Sequence, residues 1–255
     1  ASSRGIPCVL QEQNSFAGIT NKWLAAKAAR IFVAYPGMER FFPKAKIRLT
    51  GNPVRAELSE SLPDKLKAKG ALNQHQDQKT LVVLGGSLGA RRINQLIEAE
   101  LGFLQELGFQ ILWQCGKGYY QTYKKYTAPG VEVTPFIKDM RTALAAADLI
   151  ISRAGAGSVS ELALVGAPVL FIPSPNVAED HQRKNAEAIV AKKAAVMLLE
   201  SELEESFEKT MEELVANPEG MRTMGTAFKG LAKPGATAAI VDEIEVLLHK
   251  ATSHE

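Results

Sequence analysis

Short runs rich in Val, Ile and Leu recur along the chain with helix-like stretches between them, and most of the runs show no alternation of apolar with polar residues. That pattern is restrictive. A strand with one face in water alternates, whereas a strand covered on both faces does not, and double coverage comes from crossover helices that join parallel strands. The runs fall at Cys8–Leu10, Ile31–Ala34, Ile47–Leu49, Leu81–Leu84, Gln110–Gln114, Val131–Val133, Leu149–Ser152, Val169–Ile172 and Ala195–Leu199. Between them, Ile93, Leu96, Ile97, Leu101 and Leu104 share one helical face, and a second helical pattern runs from Ser201 to Ala216 and stops at Asn217-Pro218. The expected class is α/β with parallel sheets.

A chain of 255 residues, 46% hydrophobic and 23% charged, suits one large domain or two modest ones. Thirty basic side chains against 28 acidic ones leave a net charge of +2 spread along the chain, which gives no footprint for a phosphate backbone, so nucleic acid is not expected as a partner. Cys8 and Cys115 stand far apart without metal or C-x-x-C spacing and are expected as reduced core residues. No apolar run approaches the ~20 residues needed to cross a bilayer, and no charged-then-apolar leader is present, which points to the cytoplasm with at most peripheral membrane contact.

Two breaks organise the chain. "GNPVRAEL" (Gly51–Leu58) precedes "SLPDKLKAKGALNQHQDQKT", expected to be a solvated connector. Residues 55–234 are expected to form a complete α/β unit. Residues 1–54 hold too few strands for a covered parallel sheet and are read as the remnant of another domain. After Pro234-Gly235, a helix with Ile240, Ile244, Leu247 and Leu248 on one side (235–252) is expected to pack back on that remnant.

Three stretches carry chemistry. In "LVVLGGSLGARRIN" a strand ends in Gly85, Gly86, Ser87 and Gly89, and a helix start after such a turn offers bare N–H groups and the positive end of the helix dipole to an anion. No GK[ST] and no G-x-G-x-x-G is present, so neither nucleotide-triphosphate loop nor dinucleotide fingerprint applies. A glycine turn needed only for close strand–helix packing is the alternative reading. The second stretch, "RAGAGSVSELALVGAPVLFIPSP", repeats the arrangement at Ala156, Gly157 and Ser158 and adds Glu161. That carboxylate either closes a capping box with Ser158 or accepts hydrogen bonds from ribose hydroxyls. In the third, "NVAEDHQRKNA", Asp180 is a candidate N-cap, and His181 and Gln182 either face the same crevice or merely begin a helix.

The order GGSLGAR, TPFIKDM, RAGAGSVSELALVGAPVLFIPSP and DHQRKNA, with QEQNSFAGITNKWLA and GNPVR upstream, resembles the bacterial MurG family across essentially the whole chain. Gln11 stands where many members have His, and Leu88 where many have Gln. The resemblance implies a glycosyltransferase of the GT-B type: two Rossmann-like doubly wound domains facing a cleft, the N-terminal one incomplete in this chain. It implies inverting, metal-independent transfer of N-acetylglucosamine from UDP-N-acetylglucosamine to the muramyl 4-hydroxyl of lipid I, giving lipid II, with no cofactor and no metal site. By motif, Ser87 contacts donor phosphate and Arg55 lies at the hinge near the donor. The backbone of Phe136 and Ile137 meets uracil, Ala156, Gly157 and Ser158 line the diphosphate, Glu161 takes the ribose, and Gln182 and Asn14 reach the sugar. The family's Gly-rich loop with a His, its expected base, is not among these residues, so the chain is expected to bind donor and to supply no catalytic residue itself. A UDP-N-acetylglucosamine 2-epimerase or another GT-B lipid glycosyltransferase shares the phosphate turns but is not expected to carry QEQN…AGITNKW. The resemblance also places the protein at the cytoplasmic membrane surface. Trp23, Phe32, Phe41 and Phe42 with Lys22, Arg40, Lys44 and Lys46 are either an apolar patch with a basic rim or ordinary core and surface.

Overall fold

The computed structural model describes residues 2–86 and 88–252, so the phosphate candidate Ser87 lies outside the described residues. Two all-parallel sheets form. β1 (Val9–Glu12), β2 (Arg30–Val33) and β3 (Ile47–Leu49) make the first, in that order. The second contains β4 (Lys79–Leu84), β5 (Phe109–Gln114), β6 (Val131–Thr134), β7 (Leu149–Ser152), β8 (Val169–Phe171) and β9 (Val196–Met197), in the order β6-β5-β4-β7-β8-β9.

The missing alternation now has its cause. Leu81 and Val83 of β4 point to one core with Ile93, Ile97, Leu104, Phe207 and Met211, while Val82 and Leu84 point to the other with Leu144, Leu162, Phe171 and Phe228. Both faces are dry, so both sets of side chains are apolar. The direction in which strands are added reverses between β4 and β7: β5 and β6 are laid down on one side, β8 and β9 on the other. At such a switch point the two following loops part, and a crevice opens at the carboxyl ends of the strands.

Several expectations need correction. The stretch after Leu62 is not a solvated connector, for it contains a helix, Lys65–Ala71, capped by Asp64, whose carboxylate accepts from the N–H groups of Leu66 and Lys67. Its buried residues are Ala68 and Lys69, and the lysine stem lies inside while Nζ reaches Asp148 at 3.0 Å. Asn217-Pro218 ends the helix Leu203–Ala216 and also starts another, Pro218–Lys229: Asn217 Oδ1 accepts from Gly220 N, and proline occupies the first turn, where it needs no N–H partner. Cys115 is buried but Cys8 is only partly covered and precedes β1. Phe32 and Phe42 belong to the core around β2, while Trp23, Ile19 and Leu24 on the helix Ile19–Leu24 are exposed.

The two sheets are joined through polar contacts. Asn52, buried after β3, donates to Gln13 O and to Ser160 Oγ, both at 3.0 Å. Asn185, fully buried, donates to Asn14 Oδ1 and accepts from Ser15 N at 2.9 Å. The final helix, Ala236–Thr252, places Glu243 between Arg30 of β2 (3.2 Å) and Arg48 of β3 (3.0 Å).

Candidate functional site

The helix Ala156–Val165 begins immediately after Gly155, an extended N-cap residue with no side chain to supply a capping bond. The N–H groups of its first turn are therefore left to solvent or a ligand. Ser158 lies inside the helix, three residues past the cap position at Gly155, so it cannot open a capping box with Glu161, and that reading is overturned. Instead Glu161 takes a bidentate hydrogen bond from Arg55, with Nε at 2.8 Å from Oε1 and the second guanidinium nitrogen at 2.6 Å from Oε2. The Glu161 bond is the main reason the Arg55 guanidinium holds its proton more firmly than usual.

The loop after β4 is built differently. Its helix starts at Arg91, with Ala90 as cap, rather than within Gly86–Gly89. Gly85 and Gly89 are hemmed in: a Cβ on Gly85 would lie 2.9 Å from Ala90 N, and one on Gly89 only 2.3 Å from Cys115 O. Gly89 has φ +84° and presses on Gly116 (φ +91°), a glycine outside the sequence motif. Gly86, at φ +75°, has open space around it. Gly85 and Gly89 thus meet a packing need while also lining the crevice, and of the three only Gly86 has open space where a side chain would stand.

Between the two loops lies a polar basin of about 660 Å³ lined by Gly86, Leu88, Arg91, Arg92, Arg153, Ser158 and Gln182 among others. A smaller apolar recess of about 250 Å³ shares Gly86, Arg153 and Ser158 with it, and adds Arg55, Phe136, Met140, Leu162 and Glu161. The two are one crevice over β4 and β7. Sequence reasoning missed its cations: Arg153 pairs with Glu200 at 2.5 Å, Arg92 pairs with Glu204, and Arg91 stands at the helix start. A doublet of arginines directly after a glycine turn was the signal available.

The remaining candidates divide. Gln182 lines the basin, and because its Oε1 accepts from Ser174 N at 2.9 Å, what it offers a ligand is its Nε2 donor. Ile137 is buried and its N–H donates to Gln114 Oε1 at 2.9 Å; Phe136 forms the recess wall instead. Asn14 is drawn away from the crevice into the joint, its Oδ1 taken by Asn185 and its amide groups by Glu12. Asp180 does not cap, since it adopts a left-handed backbone (φ 54°) where an N-cap needs an extended one. His181 turns toward Glu179, 3.9 Å away, and does not line the basin. Among the described residues no three His, Cys, Asp or Glu side chains lie together as a metal site would require, and no helix is long and apolar enough to cross a membrane.

Comparison with known proteins agrees with this geometry. The profile of the glycosyltransferase family 28 C-terminal domain matches residues 80–240. Relatives from Flavobacterium psychrophilum (50% identical over 254 residues, 99% of this chain and 69% of that protein) and Christiangramia forsetii (49% over 249 residues, 98% and 68%) are each named UDP-N-acetylglucosamine--N-acetylmuramyl-(pentapeptide) pyrophosphoryl-undecaprenol N-acetylglucosamine transferase. The crystal structure of Acinetobacter baumannii MurG superposes with a TM-score of 0.77 at 30% identity, covering 95% of this chain and 67% of that one. The calicheamicin glycosyltransferase CalG4, at 17% identity and a TM-score of 0.64 over 98% of this chain and 69% of its own, shares the fold. Fold and crevice together define a glycosyltransferase of the GT-B type. Within that class, the chain belongs to the MurG family.

Proposed function

We propose that the crevice over β4 and β7 binds UDP-N-acetylglucosamine and that the protein transfers its sugar, with inversion, to the muramyl 4-hydroxyl of lipid I to give lipid II. The observation that carries this reading is the convergence of two helix starts, Arg91 and Ala156, on one basin that runs into a recess floored by a carboxylate. A diphosphate suits the basin: bare N–H groups, two positive helix ends and Arg91, Arg92 and Arg153 all favour negative charge. The apolar recess suits the base, with Phe136, Met140 and Leu162 as walls. Glu161 serves the ribose without releasing Arg55, because two carboxylate oxygens have lone pairs beyond those a bidentate guanidinium uses.

The acceptor hydroxyl forms a bond to the anomeric carbon as the bond from that carbon to the β-phosphate oxygen breaks. UDP leaves with the electron pair, and the hydroxyl proton passes to a base outside the crevice residues named above. Charge grows on the diphosphate during this step, so preorganised N–H groups and arginines stabilise the transition state more than the ground state. Residues 1–54 belong, on this reading, to the acceptor-side domain and 55–234 to the donor-side domain. Exposed Trp23, Ile19 and Leu24 supply a contact to the cytoplasmic face of the membrane that carries a polyprenyl-linked acceptor.

Isothermal titration of the chain with UDP-N-acetylglucosamine, run beside a transfer assay on the same preparation, tests the reading. Saturable binding that UDP competes away supports it; absence of binding to either compound sinks it.

A further inference from the structure

A second cavity, of about 580 Å³, lies between the two sheets and shares no lining residue with the crevice. The helix Ala156–Val165 separates them: Ser158, Glu161 and Leu162 face the crevice, Val159, Ser160 and Ala163 face the cavity. Its apolar walls include Ile189, Phe228 and Leu231, and both chain crossings between the sheets border it, Gly51–Val54 and Gly230–Lys233.

Two features show what it is suited to hold. The hydroxyl of Tyr35, which lines the cavity, is buried without a hydrogen-bond partner among the described residues. An orphaned buried donor is costly, and a ligand acceptor would satisfy it. Burial also raises the phenol's pKa, so it stays a protonated donor. The rim carries Arg40, Lys192 and Lys233, and among the described residues no carboxylate lines the cavity. Arg40 donates to Ser15 O, while neither lysine forms an ion pair among the described residues. An apolar chamber of this size takes a drug-sized body, and a cationic rim with no counter-charge takes an anion.

We propose that this interdomain cavity binds an amphipathic anion, an apolar body bearing one sulfonate, carboxylate or phosphate head that meets Lys192 and Lys233. Because both crossings form its walls, an occupant braces one sheet against the other. The site is independent of the donor reading.

The test uses 8-anilinonaphthalene-1-sulfonate, which brightens when its rings leave water, and N-phenyl-1-naphthylamine, its neutral counterpart. The chain is titrated with each probe, with and without saturating UDP. One saturable site for the sulfonate is expected, unchanged by UDP. Replacing both lysines (Lys192→Gln with Lys233→Gln), which are exposed and leave folding intact, should weaken the sulfonate about fivefold and the neutral probe less than twofold. Ala188→Trp, which fills the cavity from its partly exposed wall, should remove both. Absence of a saturable site, displacement by UDP, or sulfonate affinity indifferent to the lysine pair overturns the proposal. If Ala188→Trp fails to fold, the lysine variant decides alone.

Discussion

After β4 the chain passes Gly85, Gly86 and Gly89 before its helix begins at Arg91; after β7 it passes Gly155 and is helical at once from Ala156. The two loops look alike in sequence and end parallel strands that are neighbours in the sheet. In the first, Gly85 is crowded by Ala90 N of its own loop and by Gln114 O at the end of β5, and Gly89 by Cys115 O just beyond it, so neither has room for a Cβ. In the second, neither Gly155 nor Gly157 is crowded, and both have ordinary negative φ. Glycine is there to keep the helix start low and open rather than to let two backbones touch. On the proposed reading, one loop combines tight packing at Gly85 and Gly89 with ligand contact at Gly86, and the other is shaped for ligand approach.

The sharpest way to break this comparison is at Gly89. Gly89→Ala must hold φ +84° and drive its methyl into Cys115 O, so we expect a loss of about 3 kcal/mol in urea unfolding. Gly86→Val keeps most of the stability, losing about 1–2 kcal/mol to its left-handed backbone, yet abolishes donor binding by blocking the approach to the amides. Equal stability losses with equal binding losses at the two positions would erase the division of labour within the loop.

Next in size is a test at the opposite ends of the same strands. Asp148, just before β7, accepts from Thr80 N at the start of β4 (2.8 Å) and from Lys65 and Lys69. Burial works against its charge, but these hydrogen bonds outweigh burial and hold its pKa below the ordinary value. A depressed carboxylate pKa contributes stability above the unfolded pKa, and that contribution fades as pH falls through the folded one. We expect Asp148→Asn to cost about 2 kcal/mol at pH 7, and the gap between the two proteins to close in urea titrations as pH drops below about 4. A gap that widens on acidification would put the stabilisation elsewhere.

Part of this was legible in the sequence and part was not, for reasons that lie in contact distance along the chain. Runs such as "LVVL" report burial on both faces directly, so parallel sheets follow from the residues themselves. The crowding at Gly89 depends on Cys115 and Gly116, and the capture of Asn14 depends on Asn185, partners that nothing local announces. Ile137, in the loop after β6, likewise gives its N–H to Gln114 at the end of β5. The helix Lys65–Ala71 buries an alanine and a lysine stem, which leaves no apolar stripe to read. Proline at position 218 signals a stop and a start equally well, and only the Asn217 cap distinguishes them.

The contribution of Glu161 sharpens the second loop's role. Glu161→Ala frees Arg55 and, on the proposed reading, deletes an acceptor for the ribose, so we expect donor affinity to fall by about 1–3 kcal/mol. Because Arg55 is well exposed, the lost ion pair should lower the unfolding free energy by no more than about 0.5 kcal/mol. Calorimetry on UDP and on the free sugar separates the outcomes: the loss should appear in full with UDP. Unchanged UDP affinity would reduce Glu161 to a partner for Arg55.

The smallest effect is the most discriminating, because its two readouts should move in opposite directions. Gly157 lies inside the first turn of the Ala156 helix, and a methyl added there would meet nothing within 4 Å. Alanine at this position restricts the unfolded chain without strain in the folded one, so Gly157→Ala should gain about 0.5 kcal/mol in stability. A helical Cβ leans toward the N-terminus, however, which is where, on the proposed reading, the diphosphate meets the bare N–H groups. That methyl should therefore weaken UDP binding about fivefold, roughly 1 kcal/mol, even as the urea midpoint rises. The same substitution at Gly89 lowers stability instead of raising it, and that contrast in sign separates a glycine with open space around it from one kept for packing. Should Gly157→Ala bind UDP as tightly as the parent, the low profile of the second loop would have no bearing on the donor, and its amides would need another explanation.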